Sequence, residues 1–76
     1  MASELVTLPV APAEDVLTRL LAGETLATLT THRGRDAAGR KRVQITVSHP
    51  DPEVVAGARQ ALLRRCQAER VRAFVV

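Results

Sequence analysis

Eleven consecutive residues in the middle of the chain, His32 to Arg42 (HRGRDAAGRKR), carry five basic side chains and one acidic one, a formal charge of +4. The whole 76-residue protein carries +3, so the other residues sum to −1 and the basic character belongs to one segment. Arg33, Arg35, Arg40, Lys41 and Arg42 offer guanidinium and ammonium donors, with Gly34 and Gly39 between them to let a ligand approach the backbone. Donors of this kind grip phosphate oxygens through charge-assisted hydrogen bonds, and each phosphate neutralised releases counterions. These five residues are the candidate nucleic-acid-binding site. The competing structural reading is a solvated hairpin end whose charges discourage edge-to-edge aggregation.

The other reactive residue types do not assemble a catalytic, cofactor or metal site. Cys66 is the single cysteine, so neither a CxxC metal motif nor an internal disulfide is available. It follows Leu62 by one helical turn on an apolar stripe, where a thiol acts as a small packing residue. Glu14, Asp15, Asp51 and Glu53 form two acidic pairs, but each opens an expected helix, where the positive end of the helix dipole accounts for it. The chain has no asparagine, which removes the acylphosphatase type of chemistry. We expect no enzyme here, because nucleophile, base and orienting group cannot be brought together from these residues.

The elements that must position the basic segment are legible in the hydrophobic pattern. Glu4 to Leu8 alternates as a strand and Pro9 ends it. Pro12 suits a first helical turn, Glu14 and Asp15 follow it, and Val16, Leu17, Leu20 and Leu21 make a short amphipathic helix that stops at Gly23. From Thr25 to Ser48 the pattern is β, with Val43, Ile45 and Val47 alternating against Gln44, Thr46 and Ser48. The tip Asp36-Ala37-Ala38-Gly39 fits a type I turn followed by a left-handed glycine, which pairs Asp36 with Arg40. In that register Leu29 lies opposite Val47, Thr31 opposite Ile45 and His32 opposite Gln44. Leu29, Val43, Ile45 and Val47 should then be buried, with Gln44 and Thr46 exposed.

The same register separates His32 from His49 by about 17 Å along the ladder, so the two cannot share a metal. His49 is expected to join the cap of a second helix. That helix is announced by Asp51 as N-cap and Pro52 in the first turn, and it runs on the stripe Val54, Val55, Ala58, Ala61, Leu62 and Cys66 to Gln67 or Ala68. Arg65 and Glu69 form an expected i, i+4 pair on it. Val71 to Val76 closes the chain as a β-rich run.

The order β-α-β-β-α-β predicts an α+β fold of ferredoxin-like type, a single domain over residues 1–76 with two helices on one face of a four-stranded antiparallel sheet. Its other face is left open and shows Thr28, Thr30, His32, Gln44, Thr46 and Ser48. Phe74, the only aromatic, fits either face. The two central strands carry no aromatics, so the usual base-stacking platform of an RNA-recognition motif is missing.

Length and composition limit the core to aliphatic side chains, burying roughly 60% of the surface of the unfolded chain. One cysteine and the lack of a signal-peptide pattern predict a reducing, cytoplasmic location, and no apolar run nears the roughly 20 residues that cross a bilayer. The expected function is a small non-enzymatic binding module whose basic arm, residues 32–42, contacts a polyanion, nucleic acid by preference and RNA or ribonucleoprotein backbone in particular. The alternative is a regulatory or scaffold domain that forms homo-oligomers through its open sheet face or an edge strand, with small ligands bound between subunits.

Overall fold

Residues 1–75 are described by the computed structural model, and Val76, the last residue of the expected closing strand, lies outside them. The elements run β1 (Ala2–Leu8), α1 (Glu14–Ala22), β2 (Thr28–Arg35), β3 (Lys41–His49), α2 (Pro52–Ala68) and β4 (Phe74–Val75). The four strands form one antiparallel sheet in the order β2-β3-β1-β4. The architecture is therefore α+β, two helices with a four-stranded sheet, and no helix among the described residues is long and apolar enough to cross a membrane.

Pleating decides which residues meet the helices. Val6 pairs with Ile45 and Leu8 with Val43, and these four with Val47 are buried on one face. Leu17 and Leu20 of α1 and Val55, Ala58, Leu62 and Cys66 of α2 complete the core cluster. Full burial of a side chain the size of Ile45 or Leu62 contributes about 1.5–3 kcal/mol. These few residues therefore carry most of the packing energy of a small domain.

The β2–β3 hairpin has the register that its alternation and turn predict. Leu29 faces Val47, Thr31 faces Ile45 and His32 faces Gln44. The burial expected from that register needs two adjustments. Val43, Ile45 and Val47 are buried, whereas Leu29 is only half-buried because β2 is an edge strand with the core on one side. Gln44 and Thr46 are half-buried rather than exposed, because β3 is central and side chains of both neighbouring strands flank them.

Local chemistry accounts for the helix ends. The Asp51 carboxylate accepts from the Glu53 N–H at 2.9 Å, and His49 Nδ1 accepts from the Asp51 N–H at 3.0 Å, so both residues belong to the cap of α2. At the far end Val71 N–H bonds the Cys66 carbonyl at 2.8 Å and Arg70 N–H bonds that of Gln67 at 3.1 Å. This is a Schellman closure, and Arg70 holds the left-handed position, φ 58°, that glycine usually fills.

Three expected element bounds are corrected. Helix α1 starts at Glu14 with Ala13 as a cap lacking a side-chain hydrogen bond, so Pro12 precedes the helix instead of opening it. Strand β2 begins at Thr28, not Thr25, because the Glu24 carboxylate draws the N–H groups of Leu26 and Ala27 into a turn. Among the described residues the closing run starts pairing at Phe74, not Val71, since the Schellman turn and its exit occupy the residues before it.

Glu69 is not the partner of Arg65. Its carboxylate takes both Nε and Nη2 of Arg19 from α1, at 2.6 and 3.2 Å. Arg65 instead donates Nε to the Leu20 carbonyl at 2.8 Å, tying α2 to the C-terminal end of α1. Its Cδ passes 2.8 Å from where a Cβ on Gly23 would stand. Close approach of the Arg65 side chain, rather than a left-handed backbone, is what favours glycine there, since Gly23 has φ −78°.

Candidate nucleic-acid interface

Beyond Val43 the β2–β3 ladder continues past the core, pairing Arg33 with Val43, Gly34 with Arg42 and Arg35 with Lys41. Turn chemistry holds the tip. Asp36 N–H bonds the Arg40 carbonyl and Gly39 N–H bonds the Asp36 carbonyl, both at 2.9 Å. Asp36 Oδ1 accepts from the N–H groups of Ala38 and Arg40, and Gly39 sits at φ 82°. These bonds, the Arg40 N–H first, hold the Asp36 carboxyl below the usual carboxylate range.

Pleating distributes the four basic side chains of the ladder over both faces of the arm, and Arg40 belongs to the turn. Arg33, Arg35 and Lys41 share the face of Val43, on the helix side, and Arg42 takes the other face opposite Gly34. The loop between β1 and α1 runs alongside, with Ala11 N–H donating to the Lys41 carbonyl at 3.0 Å. Between that loop and the arm lies a recess of about 780 Å³ whose walls include Ala11, Pro12, Arg33, Arg35 and Lys41.

The donors differ in how committed they already are. The Arg33 guanidinium forms a two-pronged ion pair with Glu14 at the start of α1, one prong being Nη2 to Oε2 at 2.9 Å. That contact lowers the Glu14 carboxyl and raises Arg33. Arg35 Nη1 donates to the Gly39 carbonyl at 2.8 Å, and Arg40 Nε donates to Asp36 Oδ2 at 3.0 Å. Lys41 and Arg42 have no ion-pair partner among the described residues. The five predicted residues are thus brought to one end of the molecule, and two of them are immediately available to an anion.

The sequence did not point to Glu14 as part of this site. Its place after a proline reads as a helix-dipole acid, and its contact with Arg33 spans 19 residues of sequence, a separation no local spacing rule covers. The other reactive groups stay apart from the arm. Cys66 is in the core at 1% exposure, and burial pushes its thiol pKa up, away from nucleophilic use. His49 is engaged in the α2 cap and His32 lies exposed on β2. No group of three His, Cys, Asp or Glu side chains gathers to hold a metal among the described residues. What the arrangement offers chemically is a set of directed cationic donors around an open recess.

Compared with known proteins, the chain matches no protein family, no curated protein and no solved structure.

Proposed function

We propose that this protein is a non-enzymatic binding module of ferredoxin-like topology whose basic β2–β3 arm contacts the phosphate backbone of nucleic acid, RNA or a ribonucleoprotein. The strand order β2-β3-β1-β4 is compatible with that topology. The observation that carries the reading is the arm itself: Arg33, Arg35, Arg40, Lys41 and Arg42 project from one end of a domain whose charge outside residues 32–42 sums to −1. Local charge of this density steers polyanions, and an exposed ladder extension without core contacts has no packing reason to carry it. Lys41 and Arg42 make the first contacts, while Arg33 joins by exchanging the Glu14 carboxylate for a phosphate.

The test is binding of a labelled RNA by wild type and by a variant with all five residues changed to glutamine. Wild type should bind at about 50 mM salt with a log–log salt slope between about −1.4 and −4.5, for two to five phosphates at about 0.7–0.9 each. The variant should keep its circular dichroism spectrum and lose binding. Retained binding by the folded variant overturns the reading. It would favour the alternative of an oligomeric regulatory or scaffold domain, for which the structure offers an eight-residue edge strand, β2, paired on one side only. Sedimentation with and without RNA separates the two readings.

A further inference from the structure

The register aligns four side chains across the sheet on the face away from the helices. His32 pairs with Gln44, Gln44 with Thr7, and Thr7 with Phe74, so one row crosses all four strands. The row therefore has an aromatic ring at one edge, an imidazole at the other, and an amide and a hydroxyl between them. With strands about 4.8 Å apart, Phe74 and His32 stand roughly 14 Å from each other. Phe74 is 52% exposed, an unusual state for the only aromatic of a domain. The Arg72 guanidinium lies 5.9 Å from its ring centroid, and Arg42 projects from the same face one row nearer the arm.

Among the described residues the open face carries no strand carboxylate. Glu4 is the one carboxylate within the four strands among the described residues, and it lies on the helix-covered face, opposite Val47, bonded to Arg59 at 2.7 Å. The open face offers Thr30, Thr46 and Ser48 hydroxyls around the row and cationic groups at its margins. An anionic polymer that also carries flat apolar rings matches this combination. A bare polyanion would leave Phe74 without a contact, and an apolar protein surface would bury hydroxyls and guanidinium groups at a cost.

We propose that the open sheet face binds single-stranded RNA, which crosses the strands along the His32–Gln44–Thr7–Phe74 row. One base stacks on Phe74, and another packs on the His32 imidazole. Gln44 and Thr7 hydrogen-bond base edges or the sugar 2′-hydroxyl, and Arg42 and Arg72 hold the flanking phosphates. This surface is distinct from the recess beside α1 and rests on the arm reading only for Arg42. Duplex RNA hides its base faces and cannot use the row.

The test combines Phe74→Ala, Phe74→Tyr and Phe74→Trp, each first checked for an unchanged urea midpoint. Against a single-stranded oligouridylate of about eight nucleotides, Phe74→Ala should weaken binding about tenfold and Phe74→Tyr should retain it. Binding of heparin and of a duplex of equal length should not change, because the arm is intact. An oligothymidylate arm reads the contribution of the 2′-hydroxyl and should bind more weakly than oligouridylate. The chain has no tryptophan, so Phe74→Trp supplies a single reporter whose emission should fall on adding oligouridylate but not heparin. Undiminished oligouridylate binding by Phe74→Ala, an equal loss toward heparin, or a change only in oligomeric state overturns the proposal. Failure of the arm reading is recognised separately: the glutamine variant would keep its heparin binding, while the Phe74 effects on oligouridylate would stand.

Discussion

The root and the tip of the β2–β3 hairpin belong to one continuous ladder but are held by different forces. At the root, Ile45 and Val47 are buried against the helices, and the pairing with Thr31 and Leu29 follows from that burial. At the tip, from Arg33 to Arg42, no side chain is buried, and the structure rests on turn hydrogen bonds, Gly39 and the Asp36 carboxylate. Nondirectional apolar packing makes the root intolerant of volume changes. Directional local bonds keep the tip ordered while leaving its side chains open to a ligand.

The contrast is sharpest under core truncation. Ile45→Ala should cost about 3 kcal/mol, a large share of the roughly 4–11 kcal/mol available to a domain of this size. Because that variant can fail to fold, Ile45→Val, at about 1 kcal/mol, provides the graded measure. Thr46→Ala, one residue along on the opposite face, should stay within about 0.5 kcal/mol. Urea denaturation midpoints read all three, and comparable losses at residues 45 and 46 would erase the distinction between the faces.

At the tip the largest single effect should come from the backbone. Gly39→Ala places a Cβ at φ 82° and should cost about 1 kcal/mol, although space around the position is open. The loss should appear as faster hydrogen exchange at the Asp36 and Arg40 amides with little change near Ile45. Uniform destabilisation of both regions would mean that the tip is an integral part of the core unit.

The smallest effects belong to the ion-paired carboxylates at the surface. Glu14, Asp36 and Glu69 have depressed pKa values, so each contributes stability that is complete above about pH 4.5 and lost as acid takes the pH through the folded-state values. Glu14→Gln removes one of these contributions and frees Arg33. At pH 7 it should raise RNA affinity and steepen the log–log salt slope by about 0.7–0.9, one additional phosphate. An unchanged slope would show that Arg33 does not take part.

Much of the fold was legible because its determinants are close in sequence. The DAAG turn and the alternation around Ile45 agree on one hairpin register, and a one-residue slip would have turned Val43, Ile45 and Val47 to the open face. The α2 cap was equally local, since Asp51, Pro52 and His49 lie within four positions. The site was legible only in part. The basic residues could be named and the register divides them between the two faces, but that Arg33 is engaged by Glu14 while Lys41 and Arg42 stay available depends on what packs beside the arm.

What the sequence by itself determined was the β-α-β-β-α-β order, the hairpin register and the N-terminal cap of α2, each specified by the two-residue or 3.6-residue period and by hydrogen bonds over a few residues. Only the tertiary structure decided that Glu14 meets Arg33, that Glu69 meets Arg19 rather than Arg65, and that Phe74 joins Thr7 on the open face. The two ion pairs span 19 and 50 residues, and the face of Phe74 follows from β4 pairing with β1, an element at the other end of the chain. Such partners are chosen by how helices and strands stack, because long charged side chains and a two-residue strand carry no period that would announce their neighbours.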